Sequence, residues 1–411
     1  MTGQTISFND PEVQRCPFEA YRQVHAQGPV YLDPRSGFYV VVDYDEIKRA
    51  ASDPATFSSV TGQLLVKDAP YQARIDAIYR EHGFMPVNAL VVADPPLHTL
   101  HRSLVDKAFT APRVKLMEDY LETLVDSVID AFIERGEVEF YGDMALMVPN
   151  YVISDQLGLP REEFGRFKRW ADAVVQEGDP DNGEERQVEI THIICELHQY
   201  LVDKVEQLKK APEPKILSDL VHAEVDGRRL SMEEIVAIVS QILPAGSDTT
   251  VSAMASMMYR MVTTAGLEAR LRADRELIPS YIEEVLRLDA PVQGLYRRAT
   301  RDVEIGGVPI PEGAIVVLKF GAGNRDPEQF PDPDVLDPKR PNARRNLTFG
   351  YGAHYCVGNQ LARSELRISL NRLLDRMQNF RLTRGEDGVE WMAHFFAYGP
   401  TRLEISFDAV G

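Results

Sequence analysis

The stretch Phe349-Gly350-Tyr351-Gly352-Ala353-His354-Tyr355-Cys356-Val357-Gly358 runs into a helix-forming segment, Leu361-Ala362-Arg363-Ser364-Glu365-Leu366-Arg367. Its glycines let the backbone turn sharply and approach a flat partner closely. The helix that follows puts the Cys356 thiolate at a helix N-terminus, where N–H groups and the dipole favour negative charge. Hydrogen bonds there also limit the donor strength of a sulfur held against a metal. A lone cysteine is by default a small buried hydrophobe. The pattern of Gly, His and aromatic residues around Cys356 sets it apart from that default. A zinc site does not fit: zinc asks for about four N or S ligands, and only His354 and Cys356 cluster here.

Working outward, Ala245-Gly246-Ser247-Asp248-Thr249-Thr250 lies deep in a helix predicted to open at Ser231-x-x-Glu234, a capping box, and to run past Met257. Gly and two Thr are poor choices for a buried helix interior, and such local violations mark functional sites. An acid beside a hydroxyl holds water and relays protons. Pro244 removes one helix hydrogen bond and predicts a kink before the motif. Glu284-Val285-Leu286-Arg287 contains an i, i+3 pair that on an ordinary helix is a surface contact worth about 0.2–0.5 kcal/mol. In Asp94-Pro95-Pro96-Leu97-His98-Thr99-Leu100-His101-Arg102, His98 and Arg102 fall on one helix face.

The spacing Phe-Gly-x-Gly-x-His-x-Cys-x-Gly, complete here, resembles the haem-binding loop of the cytochrome P450 family, and the other motifs follow in that family's order. The resemblance covers the chain from about Asp10 onward. It implies a fold that is mainly α with a minor β portion, the triangular helix-rich cytochrome P450 fold, as a single domain over residues 1–411. In that fold the cofactor sits between a long central helix and the cysteine loop. The implied cofactor is haem b (iron protoporphyrin IX), with dioxygen as co-substrate and Cys356 as the axial ligand of the iron. Phe349, Gly350 and Gly358 shape the loop. Ala245 and Gly246 line the oxygen-activation groove, where Gly246 leaves room over the iron. Asp248 brings protons inward and Thr249 donates a hydrogen bond at the oxygen. His98, Arg102, Arg297 and His354 are the implied cationic partners of the haem propionates. Asn346 stands where many relatives carry a histidine and supplies no charge. Glu284, Arg287 and Arg340, the last in Asp337-Pro338-Lys339-Arg340, match the family's structural Glu-x-x-Arg network.

Apolar spacing predicts helices over 114–135, which carries Leu116, Tyr120, Leu121, Leu124, Val128, Ile129 and Phe132 at three- and four-residue spacing, and over 187–210. Strand-like runs lie at 38–43, 303–305, 314–318 and 403–407. Within the long segment 58–94, Tyr71, Ile75, Ile78 and Tyr79 share one face of a short helix. The family resemblance puts that segment over the substrate pocket. Residues 178–183 read as a flexible turn between helices, which in the family forms a lid. The run 326–345, rich in Pro, Asp and Arg, resembles the irregular meander before the cysteine loop.

The 411 residues are 44% hydrophobic and 26% charged, ordinary for a globular chain with a large core. A net charge of -18 argues against nucleic acid as a main partner. Three cysteines make no disulfide framework, which suits a reducing cytoplasm. The first ten residues lack the basic and apolar regions of a signal peptide. No stretch approaches the roughly twenty apolar residues of a membrane span, so no membrane anchor is expected.

The resemblance therefore implies a haem-thiolate monooxygenase, inserting one oxygen atom into a hydrophobic small molecule. Pocket candidates by family position are Phe84, Met85, Val87, Val174, Ile242, Ala245, Val292, Leu295, Phe395 and Phe396, all apolar. The chain carries no flavin or nicotinamide fingerprint, so a separate ferredoxin with its reductase is the implied electron donor, acting on a monomer. Arg344, Arg345, Arg363 and Arg367 flank the cysteine loop as a basic face for it. A peroxygenase would dispense with the Asp248–Thr249 relay, and a haem-based sensor or storage protein would need Cys356 but not that pair.

Overall fold

The computed structural model describes residues 6–61, 70–177 and 182–410. Most of the turn expected at 178–183 and part of the segment 58–94 lie outside the described residues. The chain divides into two compact units: residues 1–59, 115–148 and 249–411 form one, and residues 60–114 and 149–248 the other.

The first unit holds the strands. Its largest sheet runs in the order Val30–Leu32, Tyr39–Val41, Ile315–Leu318, Leu295–Ala299, Phe57–Ser58. One pairing is parallel, with Tyr39 opposite Val316, and the others are antiparallel. Under it, Val41, Ile47, Phe57, Leu318, Phe320 and Phe330 form a buried cluster. A second sheet pairs Glu404–Ala409 with Glu137–Glu139 on one side and Met377–Leu382 on the other. The strand runs read from sequence at 38–43, 303–305, 314–318 and 403–407 appear as Tyr39–Val41, Val303–Ile305, Ile315–Leu318 and Glu404–Ala409. Helices Glu118–Asp130, Leu277–Leu288 and Asn359–Arg376 complete the unit, and the last packs against the other two.

One helix differs from the periodicity reading. The expected helix over 114–135 is broken into a short helix, Ala111–Lys115, and a longer one, Glu118–Asp130. The break turns Met117 inward, 5% exposed, and leaves Leu116 77% exposed. Apolar spacing cannot tell which of two adjacent hydrophobes faces the core when the helix changes direction between them.

The second unit is helical. Helix Glu184–Lys210 buries Ile190, Ile194, Leu197, Leu201, Val205 and Leu208, a stripe at three- and four-residue spacing. It packs against Gln72–His82 and Phe164–Gln176. The short helix predicted inside 58–94 is Gln72–His82; Ile75, Ile78 and Tyr79 are buried on it, while Tyr71 stands just before it, half-buried.

The central helix, Met232–Thr263, opens on the predicted capping box. Ser231 N–H donates to Glu234 Oε2 at 2.8 Å, and Glu234 N–H donates to Ser231 Oγ at 3.2 Å. Pro244 sits inside this helix without ending it.

Candidate active site

In the cysteine loop, Gly350 and Gly352 adopt φ of +73° and +69°, the left-handed region that disfavours a side chain. A Cβ at Gly352 would also come within 2.7 Å of the Ala51 carbonyl oxygen. Gly350 N–H donates to Leu347 O at 2.8 Å, and Cys356 N–H donates to Phe349 O at 2.8 Å, closing the loop on itself. Gly358 then caps the helix Asn359–Arg376. Cys356 is therefore at a helix N-terminus, half-buried, as the sequence motif requires. Asn359 Nδ2 donates to the Cys356 carbonyl at 2.7 Å. His354 Nε2 lies 3.0 Å from Ser59 Oγ.

Two adjacent glutamates on helix Leu277–Leu288 hold this region. Glu284 is fully buried and accepts from Arg287 Nε (2.7 Å), Arg287 Nη2 (2.8 Å), Arg340 Nε (2.9 Å) and Asp337 N–H (3.1 Å). The two arginines then spend their other donors on the carbonyls of the irregular run 326–345 and its approach. Arg287 donates to Asn324, Pro333 and Val335, and Arg340 to Pro331, Asp332 and Val335. A backbone run without helix or ladder partners must find donors elsewhere, and here the guanidinium groups supply them. The i, i+3 pair that would be a weak contact on an exposed helix is an interior network.

Glu283 does the same for the cysteine helix. Arg363 Nε donates to Glu283 Oε1 at 2.5 Å and Asn346 Nδ2 to Glu283 Oε2 at 3.0 Å. The Arg363 guanidinium also lies 4.2 Å from the centre of the Phe349 ring. This corrects the basic face expected around Cys356. Arg363 is mostly buried and paired with Glu283, and Arg367 pairs with Glu118 at 2.5 Å. Arg344 and Arg345 are the two of the four that are exposed, and neither makes an ion pair among the described residues. Asn346, expected to hydrogen-bond without adding charge, does so.

On the central helix, Asp248 is half-buried, and burial raises its carboxyl above the usual range while Lys168 opposes that shift. Lys168, itself paired with Asp172, stands on helix Phe164–Gln176. Ser247 Oγ donates to the Leu243 carbonyl at 3.0 Å. Pro244 deprives the Ser240 carbonyl of its usual helical donor, and the buried Ser240 hydroxyl also has no hydrogen-bond partner among the described residues. Ala245 is exposed. A Cβ on Gly246 would meet the end of the Ile153 side chain at 2.5 Å, so glycine there also permits close packing.

His98 and Arg102 share helix Leu97–Val105. Burial, with Arg102 nearby, pushes the His98 imidazole down to about 4. Arg102 Nε donates to Asp106 at 2.9 Å. Arg297 is buried and donates to the Tyr296 carbonyl at 2.8 Å. In the first unit Val292 bridges Ala397, and Gln293 N–H donates to Phe396 O at 2.6 Å, which brings Val292, Leu295, Phe395 and Phe396 into one neighbourhood. In the second, Phe84 N–H donates to His198 Nδ1 at 3.2 Å. Met85 and Val87 are exposed, Phe84 and Val174 half-buried, and Ile242 buried. Glu283, Asn324, Asn359 and Lys168 escape sequence reading, since none carries a motif.

The donor set fits a haem. Among the described residues no group of three or more His, Cys, Asp or Glu is placed to hold a metal ion. One thiolate is then what the protein offers, which suits an iron already ringed by porphyrin nitrogens. A Cβ built at Gly358 meets no protein atom within 4 Å, so the loop beside Cys356 keeps an open side. No helix of the described residues is long and apolar enough to cross a membrane.

The family model described as cytochrome P450 matches residues 183–405. The cyclomarin C epoxidase CymV of Salinispora arenicola is 32% identical over 390 residues, 94% of each chain. The vitamin D(3) 25-hydroxylase of Pseudonocardia autotrophica is 31% identical, covering 95% of this chain and 93% of that one. Among solved structures, cytochrome P450 CYP109Q5 from Chondromyces apiculatus superposes with a TM-score of 0.87 at 28% identity over 98% of each chain. With the thiolate loop, its supports and these likenesses together, the chain belongs to the cytochrome P450 family and is a monooxygenase of that type, which implies a haem cofactor and dioxygen as co-substrate.

Proposed function

We propose that this monooxygenase oxidises a hydrophobic, uncharged small molecule, using electrons delivered by a separate ferredoxin and its reductase. The observation that carries the substrate class is the run of apolar pocket candidates left accessible. Met85 and Val87 are 37% and 40% exposed, and Phe84, Val174, Val292, Leu295, Phe395 and Phe396 are half-buried. Apolar side chains kept open to this extent favour a ligand that removes their surface from water.

When bound, the haem would supply oxygen activation, with electron density from the thiolate that holds it. Cys356 would hold it, and Arg297, His354, Arg102 and His98 would bind its carboxylates by hydrogen bonds or charge. Phe349, Gly350 and Gly358 keep the loop close and flat. Asp248 takes and releases protons at its carboxyl, because burial keeps the protonated form accessible while Lys168 favours the charged one. Thr249 then offers its hydroxyl as the next hydrogen-bonding group. A positioned acid contributes about 10²–10⁴-fold, so Asp248→Asn should slow turnover on that scale. Thr249→Ala should keep reductant consumption but yield hydrogen peroxide in place of oxygenated product. Arg344 and Arg345 are the exposed cations left near the cysteine loop for an acidic ferredoxin.

The test has two arms. The reduced protein with carbon monoxide should show the red-shifted Soret band of thiolate ligation, and Cys356→Ala should lose it; retention would assign the iron to another residue. A titration of the haem-loaded protein with matched neutral and carboxylate-bearing apolar compounds should give spin-state shifts for the neutral series. Stronger shifts with the carboxylates would overturn the substrate class. Turnover with ferredoxin and reductase, rather than with peroxide alone, separates this reading from a peroxygenase.

A further inference from the structure

Residues 84–89 lie in no helix or strand, and among the described residues 85–88 make no hydrogen bond. Side chains fix the two ends of this stretch instead. At its start, Phe84 N–H donates to His198 Nδ1 at 3.2 Å, on helix Glu184–Lys210. Gly83, just before, fits closely there: a Cβ on it would come within 2.8 Å of both Cys195 Sγ and His198 Nδ1. At its end, the side-chain amide of Gln241, on the central helix, closes on two backbone groups at once. Gln241 Nε2 donates to Ala89 O at 3.0 Å, and Gln241 Oε1 accepts from Val91 N–H at 3.0 Å. Between those two, Leu90 N–H donates to His101 Nδ1 at 3.3 Å, and Leu90 has a φ of +38°, in the left-handed region. A bulky residue keeps such a conformation only where its surroundings hold it. All of these residues belong to the second unit.

Burial does not set the position of this stretch, since Met85 and Val87 are left exposed. The anchors do, and Gln241 ties it to a particular place. Gln241, Ala245 and Asp248 are spaced i, i+4, i+7, which is one face of a helix. At about 1.5 Å of rise per residue, Gln241 stands about 6 Å along the axis from Ala245 and about 10 Å from Asp248. The stretch is thus fastened to the helix face that carries the buried acid. The residue type is specific as well. An amide offers a donor and an acceptor side by side, whereas an ionised carboxylate only accepts and a thioether does little of either.

We propose that Gln241 is a specificity-determining positioning residue: by fixing Ala89 and Val91 it holds residues 85–88 as a wall of the substrate pocket that discriminates ligands by size. This rests on the reading of Phe84, Met85 and Val87 as pocket residues. A ligand that fills only the space beside the groove does not reach the wall. A longer apolar ligand does, and it binds more tightly when the wall is already in place, because the cost of ordering those residues is not charged to binding.

Haem-loaded wild type, Gln241→Met and Gln241→Glu are titrated with imidazole and with 4-phenylimidazole, both of which shift the Soret band by ligating the iron. In Gln241→Met the Kd for imidazole should stay within about twofold of wild type, while that for 4-phenylimidazole should rise about tenfold. Gln241→Glu keeps the acceptor for Val91 N–H and loses the donor to Ala89 O, so its ratio of the two Kd values should fall between, and it carries the test if Gln241→Met loads little haem. Hydrogen exchange at the Val91 amide should quicken in Gln241→Met and remain slow in Gln241→Glu. A ratio that stays at the wild-type value although Val91 exchange rises would remove 85–88 from the pocket, and unchanged exchange would show that Gln241 does not hold the stretch; either result overturns the proposal. Neither bears on the preference for neutral over carboxylate-bearing ligands, which its own titration decides.

Discussion

The end of helix Leu277–Leu288 and the middle of helix Asn359–Arg376 each bury a glutamate, and the two are treated differently. Glu284 is 0% exposed and its oxygens accept from four donors on Arg287, Arg340 and Asp337. Glu365 is 1% exposed, its Oε2 has no hydrogen-bond partner among the described residues, and burial raises its carboxyl well above the usual range. Ser369, one turn further along the same helix, is also buried, and its hydroxyl has no partner among the described residues. Burial by itself therefore does not decide what a carboxyl group does. Donors do: with them the charge organises the backbone around it, and without them the group sheds its charge.

The largest test of this contrast is Glu284→Ala. It would strand two buried guanidinium groups, and breaking such a network by removing one partner costs roughly 3–5 kcal/mol. Urea unfolding should show that loss, with little haem retained after purification. A drop below about 1 kcal/mol would mean that the carbonyls of 326–345 hold the arginines without it.

Next is Glu283 with its partner. Arg363→Ala leaves Glu283 buried and removes the cation stacked on Phe349, so about 1.5–3 kcal/mol should be lost. The same variant should lower the stability of the haem-loaded form at every ionic strength, since a pair this buried is little screened. A salt-dependent fall in ferredoxin-driven reduction with unchanged stability would restore Arg363 to the docking face.

Glu365→Gln should go the other way. With a native carboxyl titrating above its unfolded value, the unfolded chain binds fewer protons between those two points. Stability from this group is therefore present below the unfolded value and is lost as pH rises towards the native one. Gln, neutral at all pH, should raise the thermal midpoint at pH 7 relative to wild type and flatten its decline above pH 5. An unchanged pH profile would show that Glu365 is ionised in the folded protein. The smallest effect is expected from Arg344→Glu. As an exposed residue it should change stability by no more than about 0.5 kcal/mol, while slowing ferredoxin-driven reduction at low salt only.

Local chemistry decided much of this protein in advance. The cysteine loop is legible because its glycines are demanded by backbone conformation at 350 and 352, and its sulfur by the helix terminus it precedes. The central helix is legible from its capping box, and the long helix Glu184–Lys210 from its apolar stripe. These signals depend on residues within a few positions of one another. What the chain brings together over long separations was not readable in this way. Leu116 and Met117 are equally apolar, and only the change of direction between two helices sends one outward. Arg363 looks like any helix arginine until Glu283, eighty residues earlier in the chain, is placed against it. Charge, protonation and pairing are set by what surrounds a group in space, and that only the tertiary structure decided.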